Sequence, residues 1–147
     1  MKSKHLFTLI LLPLLALTAC TSVQVRPVPA STKMDAVVIR KNPKVTMSEF
    51  LPVLQAGFAR HGIASQVITP EMSAPGQFLV TYNALRSWDV VTYLSHASVT
   101  IEKDGRIVGH AEYHLKGKGG LAPTKFKSTE AKMAPVMDRL LGEVSRR

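Results

Sequence analysis

The fold is decided by the stretch Val90–Lys116, which reads VVTYLSHASVTIEKDGRIVGHAEYHLK. Apolar and polar residues alternate on both sides of the segment Glu102-Lys103-Asp104-Gly105, and such alternation is typical of two β-strands that each bury one face. The Asp-Gly pair suits a tight turn in which the glycine takes a left-handed conformation. The sequence therefore predicts an antiparallel hairpin of two long strands.

The register of this hairpin depends on the length of its turn. A three-residue turn would pair Glu102 with Arg106 and place Val99 opposite Gly109, so that the apolar residues of both strands share one face. A two-residue turn would instead place Val99 opposite His110 and mix the two faces. We therefore expect the three-residue turn.

The polar face of the predicted hairpin collects the side chains of His96, Ser98, His110, Glu112 and His114. Imidazole and carboxylate groups bind zinc and act as general acids or bases, so His96, His110, Glu112 and His114 are candidate metal ligands. Ligands two residues apart on a strand are separated by ~6.6 Å along the backbone and need converging side chains to share an ion. A solvated face with cross-strand pairs such as His96–Glu112 is the simpler interpretation, so the sequence predicts no metal and no cofactor there.

Three further strands and two helices complete the predicted element order. The strands are runs rich in β-branched and aromatic residues at 36–40, 63–68 and 77–84. The first helix starts at the capping box Thr46-Met47-Ser48-Glu49 and ends near Gly62, and Pro52 within it predicts a kink or a later start. The second helix runs from Ser128, where Pro135 marks a kink or the actual start. The order is β-α-β-β-β-β-α.

This order predicts an α+β fold in two layers. We expect a mostly antiparallel twisted sheet of about five strands, with both helices on one face so that each buries its apolar stripe. The first β-α-β unit suits a parallel crossover.

The N-terminal residues show the three parts of a secretory signal. Lys2 and Lys4 precede the apolar run 6–17, which is shorter than the ~20 residues of a membrane span. The stretch Leu17-Thr18-Ala19-Cys20 then places small residues before the only cysteine of the chain, and it resembles the lipobox of bacterial lipoproteins. The resemblance implies cleavage before Cys20 and a covalent N-acyl and S-diacylglycerol lipid on that residue, which would hold the protein stably at a membrane. The alternative is an ordinary secreted protein with a chance cysteine.

The predicted domain organisation follows from this signal. Residues 1–19 form the lipoprotein signal peptide, residues 20–34 the lipid-attachment cysteine with a flexible tether rich in proline and serine, and residues 35–147 a single periplasmic α+β domain. Thr21 stands where enterobacteria-like systems often place an aspartate for inner-membrane retention. By that resemblance the protein is expected at the outer membrane, facing the periplasm.

The chain is strongly basic, with a formal net charge of +9. A basic periplasmic domain is attracted to anionic headgroups, glycolipid phosphates or acidic envelope proteins, whereas the expected compartment argues against nucleic acid. The candidate residues for contact with such partners are Trp88, Lys116, Lys118, Lys125 and Lys127. The simpler interpretations are a solubilising surface charge and a tryptophan packed at a corner of the sheet.

A wider resemblance covers most of the chain after Cys20. It is carried by Tyr82, Arg86, Trp88-Asp89, Tyr93-Leu94, Gly105, Gly109, Tyr113, Lys125, Ser128-Thr129, Pro135 and Leu140-Leu141, which are similar to a family of small proteobacterial lipoproteins. That resemblance implies a periplasmic α+β domain without an assigned activity. The element order is also similar to that of small envelope lipoproteins that act as accessory subunits of lipid-transport and secretion systems.

The sequence contains no catalytic motif that we recognise. It has no Gly-x-Ser-x-Gly nucleophile elbow and no phosphate loop, and its cysteine is assigned to lipid. We therefore expect a non-enzymatic envelope accessory protein that binds another envelope component. A binding module for lipopolysaccharide or peptidoglycan is the alternative, and a metal-dependent enzyme built on the histidine face is third.

Overall fold

The computed structural model describes residues 21–116, 123–142 and 144. Its strands are β1 (Thr21–Arg26), β2 (Ala36–Arg40), β3 (Ala64–Ile68), β4 (Phe78–Asp89), β5 (Val91–Lys103) and β6 (Arg106–Leu115). Its helices are α1 (Phe50–Arg60), α2 (Thr129–Leu141) and a short 3₁₀ helix at Pro123–Phe126. The predicted signal peptide, Cys20 and Lys118 lie outside the described residues.

The strands form one sheet in the order β1-β6-β5-β4-β2-β3. The pairs β1–β6, β6–β5 and β5–β4 are antiparallel, and β2 runs parallel to both β3 and β4. The fold is therefore α+β with two helices and a mostly antiparallel sheet, as predicted, and the β2-α1-β3 unit is parallel. The described sheet has six strands, where the sequence predicts about five.

One face of the sheet and the stripes of both helices form a single core. Alternate residues of the long strands are buried, and from the helices Phe50, Leu54 and Phe58 pack into the same cluster as Met137 and Leu140. The burial of these side chains provides the main driving force for the fold. None of the described helices is both long and apolar enough to cross a lipid bilayer.

The start of α1 differs from the sequence prediction, whereas the start of α2 agrees with it. Helix α1 begins at Phe50. Its N-cap residue, Glu49, makes no capping hydrogen bond through its side chain, so the capping-box prediction is wrong. The later start places Pro52 in the first turn, where a backbone N–H has no helical partner to lose. In α2 the hydroxyl of Ser128 accepts from the backbone N–H of Ala131 at 3.1 Å, so that helix starts as predicted and Pro135 lies inside it.

The turn between β5 and β6 corrects the predicted hairpin. Lys103 pairs with Arg106, which leaves the two-residue turn Asp104-Gly105 with φ values of 49° and 74°. Two successive positive φ values are the signature of the mirror-image turns that suit twisted hairpins. The predicted three-residue turn is therefore wrong.

A β-bulge restores the apolar face despite the shorter turn. The register shifts between Ile101 and Glu102 because β6 contributes the additional residue Val108. Beyond it Val99 lies opposite Ala111, rather than opposite Gly109 as predicted. The error is two residues in register, and an even error leaves each side chain on its predicted face.

Residues 21–34 differ from the expectation of a flexible tether. Thr21 to Arg26 pair with β6 from Leu115 to His110, and Val23 and Val25 pack against the core. The next residues continue the contact, because Val28 and Met34 are buried. The alternation of valines in β1 gives the physical reason, since one apolar face can be buried at the edge of the sheet.

Candidate functional sites

The face of the sheet away from the helices carries polar side chains in register. Two neighbouring rows across β1, β6 and β5 are Ser22, His114 and His96, and Gln24, Glu112 and Ser98. The predicted polar face is thus present, and β1 extends it by one strand. We call His96, Glu112 and His114 the histidine cluster.

The histidine cluster brings three potential ligands close together. The rings of His96 and His114 meet edge to face with centroids 5.6 Å apart, and Nδ1 of His96 lies 3.8 Å from Oε1 of Glu112. One ligand atom from each of the three residues lies within 4.8 Å of the others. His110, the fourth residue named from the sequence, lies apart, and its Nδ1 makes a 3.0 Å hydrogen bond with the hydroxyl of Thr100.

The cluster has the donor atoms of a zinc site without its spacing. Two imidazoles and a carboxylate match a common zinc donor set, but ligands ~2.1 Å from one ion lie only about 3.4 Å from each other. Lys116, Ser22 and Gln24 line the same shallow depression of about 210 Å³, and an ammonium group there opposes a bound cation. The geometry as it stands favours a cross-strand polar cluster with a His96–Glu112 ion pair when the imidazole is protonated.

A second feature projects from one end of the sheet. Beyond Leu85, the register of β4 against β5 shifts at a bulge, and the two strands continue as a ribbon in which Trp88 pairs with Thr92. The ribbon turns at Val90, whose φ is 64°. Trp88 is 72% exposed and Val90 80% exposed. Trp88 is thus a surface residue, and the alternative of a tryptophan packed at a sheet corner is wrong.

Four apolar side chains are exposed at this end, with Trp88 and Val91 on opposite faces of the ribbon because they belong to successive cross-strand pairs. We call Trp88, Val90, Val91 and Phe126 the tip patch. Phe126 belongs to the 3₁₀ helix and joins the ribbon through an edge-to-face contact with Tyr93, with centroids 6.1 Å apart.

Two lysines hold the 3₁₀ helix and α2 against the ribbon. Lys125 is buried, its Nζ lies 2.5 Å from Oδ2 of Asp89, and the ring of Phe126 lies 4.9 Å from the same ammonium group. Lys132 of α2 is also buried and donates to the backbone carbonyls of Leu94, at 3.0 Å, and Lys125. Burial lowers the pKa of Lys132.

The lysines that the sequence proposed as binding residues fall into a buried and an exposed group. Lys125 has an internal structural role, whereas Lys116 and Lys127 are exposed. Sequence reasoning missed Lys132 and the pairing of Asp89. The only signal was the position of Lys132, four residues before the buried Val136 and so on the apolar side of its helix.

The start of β1 lies at the same end of the sheet as the tip patch. Thr21 pairs with Leu115, and the neighbouring row runs from Ser22 through His114 and His96 to Leu85, where the ribbon begins. Thr21, the first described residue, therefore lies at the end of the sheet from which Trp88 projects.

A larger groove lies near the other edge of the sheet. It has a volume of about 530 Å³ and is lined by residues of β2, β3 and β4 together with Lys33 and Lys103. Asp35 also lines it, and the ammonium group of Lys103 donates to the carbonyl of Gly76 and lies over the ring of Phe78. Lys33 and Lys103 add positive charge to the lining of the groove, and Asp35 adds a negative charge.

Comparison with known proteins identifies a shared fold. No family model and no curated protein matches the sequence. The structure is similar to a subunit of the PelC dodecamer from Paraburkholderia phytofirmans, with a TM-score of 0.51 and 11% sequence identity. The match covers 80% of this chain and 97% of the PelC chain. At this identity the similarity shows the fold alone.

Proposed function

We propose that this chain is a lipid-anchored, non-enzymatic accessory protein of the bacterial envelope. In this proposal Cys20 carries the lipid, the outer membrane holds the anchor, and the folded domain faces the periplasm and binds another envelope component. The observation that carries the proposal is that the start of β1 and the exposed tip patch lie at the same end of the sheet. The strand that follows Cys20 starts there, and the two most exposed large apolar side chains of the described residues, Trp88 and Val90, project from it.

The surface chemistry supports binding rather than catalysis. The four described histidines contact neighbouring side chains at partly buried or exposed positions: His61 with Asp138 at 2.9 Å, His110 with Thr100, and His96 with Glu112 and with the ring of His114. An exposed apolar patch on an otherwise polar surface marks an interaction site.

The fold shared with PelC is compatible with an accessory role. Because the solved PelC structure is a dodecamer, self-association is a sensible property to measure for this chain as well. A closed ring of more than two identical subunits pairs two different patches of each subunit head to tail.

The experiment that tests the proposal is crosslinking of the full chain in intact cells. Mass spectrometry identifies the captured partners, and labelling with a palmitate analogue reports lipid on Cys20. We expect label on the unsubstituted chain, none on the Cys20→Ala variant, and a defined envelope protein or further copies of the chain captured only by the lipidated form. Absence of label, or identical capture by both forms, would overturn the proposal.

A polyanion-binding module is the second candidate function, and the charge of the chain favours it. Removal of residues 1–19 takes away Lys2 and Lys4 and no acidic residue, so the formal net charge falls from +9 to +7, and Lys33 and Lys103 line the groove of about 530 Å³. Binding to lipopolysaccharide or peptidoglycan through such cations should weaken steeply as salt rises. Binding that is unchanged in high salt would exclude this candidate.

A further inference from the structure

We infer that the tip patch is a docking surface for an anionic phospholipid bilayer. The domain then touches the membrane through Trp88 and its neighbours in addition to the lipid on Cys20. The inference rests on the proposed lipid anchor and adds to it a specific protein surface and a class of ligand.

The residues of the tip patch suit the interface between lipid headgroups and acyl chains. Tryptophan is enriched at that depth because its ring is apolar and its N–H remains able to donate a hydrogen bond. Val90 forms the turn of the ribbon, Val91 follows it, and Phe126 contacts Tyr93 of the same strand. A positive φ is rare for a β-branched residue such as Val90. Residues in such strained backbone conformations cluster at functional sites.

The charges around the patch are complementary to an anionic surface. Arg86 at the base of the ribbon, Lys127 after Phe126 and Lys116 after β6 are all exposed. The acidic residue of the ribbon, Asp89, is paired with Lys125 at 2.5 Å, so its repulsion of anionic headgroups is offset. Each exposed cation near such a surface strengthens binding about fivefold.

The position of the tip patch relative to the start of β1 favours a lipid bilayer as the ligand of the patch. Thr21 starts β1, which is separated from β4 by β6 and β5, so the start of β1 lies about 15 Å to the side of the ribbon at the usual strand spacing. The ribbon extends five residues beyond Leu85, or roughly 16 Å, while Thr21 lies one residue, or roughly 3 Å, beyond the same row. Inclining the strands by about 40° to the membrane normal brings the tip of the ribbon and the start of β1 to one plane. A membrane held by the lipid therefore lies within reach of Trp88.

The ribbon is braced, which lowers the entropic cost of docking. Lys125 ties Asp89 to the 3₁₀ helix and Lys132 ties Leu94 to α2, so the exposed side chains are presented on a supported element. Preorganisation of this kind reduces the ordering that binding would otherwise require.

The experiment uses Trp88, the only tryptophan of the chain, as its own probe. The lipidated chain is reconstituted into vesicles of phosphatidylcholine with or without phosphatidylglycerol, and quenching by lipids brominated on their acyl chains reports insertion of the indole. We expect a blue shift and strong quenching in the anionic vesicles. Arg86→Gln combined with Lys127→Gln should lower the docked-to-undocked ratio about fivefold for each cation removed. Arg106→Gln is the matched control, since Arg106 is exposed at the turn at the opposite end of β5 and should change nothing.

Two further results would overturn the inference and are distinguishable from failure of the anchor. A chain that floats with the vesicles but keeps unquenched, solvent-exposed tryptophan emission is anchored without docking, which leaves the proposed function intact. Shielding of Trp88 that rises with protein concentration and does not depend on phosphatidylglycerol assigns the patch to contact between copies. A chain that does not float at all lacks the anchor, and the proposed function fails together with the docking.

Discussion

A Cβ atom on Gly109 would lie 2.6 Å from Cγ2 of Val28, so β6 and the segment after β1 approach each other without space for a side chain. Val28 is fully buried there, and its backbone N–H donates to the carbonyl of Leu140 at 2.9 Å. We expect Gly109→Ala to lower the free energy of unfolding by about 1–3 kcal/mol, because the methyl group forces Val28 away from the core. Urea denaturation followed by circular dichroism measures this.

Gly57→Ala is the matched comparison for that substitution. The nearest atoms to a new Cβ at Gly57 belong to the flexible side chain of Met137, at 3.0 Å. Alanine also has a helix propensity about 0.5–1 kcal/mol better than glycine, so the net change at Gly57 should be close to zero. Equal losses for the two variants would contradict the specific role of Gly109.

The sheet was largely predictable from the sequence because its side chains obey a two-residue period. The register error in the β5–β6 hairpin was two residues, so the histidine cluster and the buried Val99 kept their predicted faces. The tether prediction for residues 21–34 failed for a different reason. The two prolines and two serines of that segment suggested a tether, whereas the burial of Val28 and the partial burial of Val23 and Val25 depend on a strand edge and a helix end supplied by distant residues.

The candidate sites were predictable only where one strand pair supplied all the residues. His96, Glu112 and His114 come from β5 and β6, so local periodicity sufficed to group them. The brace of Lys125 against Asp89 joins residues 36 positions apart through the packing of the 3₁₀ helix on β5. No local pattern encodes that contact, and the sequence therefore suggested a surface lysine.

Stability at acidic pH should depend on Asp138. The hydrogen bond from His61 and the nearby Arg60 hold the pKa of this carboxyl below its usual value of 3.8. A lowered pKa in the folded state means that the contribution to stability is present above 3.8 and is lost as pH falls through the folded value. Because the carboxylate is about half exposed, we expect Asp138→Asn to cost less than ~1 kcal/mol at neutral pH. The free energies of unfolding of the unsubstituted protein and of Asp138→Asn should converge at low pH. A difference in free energy that stays constant down to pH 2 would exclude this ion pair as its source.

Lys132 should give a pH dependence of the same sign as Asp138, but in the alkaline range. Burial lowers its pKa, so the unfolded chain holds the proton more tightly, and the penalty is relieved as pH rises toward the unfolded value of 10.5. Lys132→Met should cost about 1–3 kcal/mol near neutral pH, because the carbonyls of Leu94 and Lys125 lose a buried donor. Urea denaturation between pH 7 and 10 should show the unsubstituted protein gaining stability relative to this variant. The exposed Lys44→Met serves as control, and an equal loss there would contradict a specific effect of Lys132.

Val90→Asn should separate stability from membrane docking. Asparagine tolerates a positive φ better than a β-branched residue, so we expect the free energy of unfolding to rise by about 1 kcal/mol. The same change removes an apolar side chain from the tip patch and should reduce the quenching of Trp88 by brominated lipids. Val91→Asn is the control without backbone strain: it should reduce quenching and leave stability unchanged or lower. Loss of stability in Val90→Asn would show that the valine conformation is not strained.

The histidine cluster should hold little zinc under ordinary conditions. Its ligand atoms spread to 4.8 Å, and Lys116 lines the same depression, so a bound ion would require both side-chain closure and displacement of an ammonium group. We expect purified protein to contain well under one zinc ion per chain by elemental analysis. His114→Ala should change the free energy of unfolding by less than ~1 kcal/mol, as for other partly exposed cross-strand pairs. One zinc per chain that is lost in His114→Ala and retained in His110→Ala would contradict this expectation, because His110 bonds to Thr100 and lies outside the cluster.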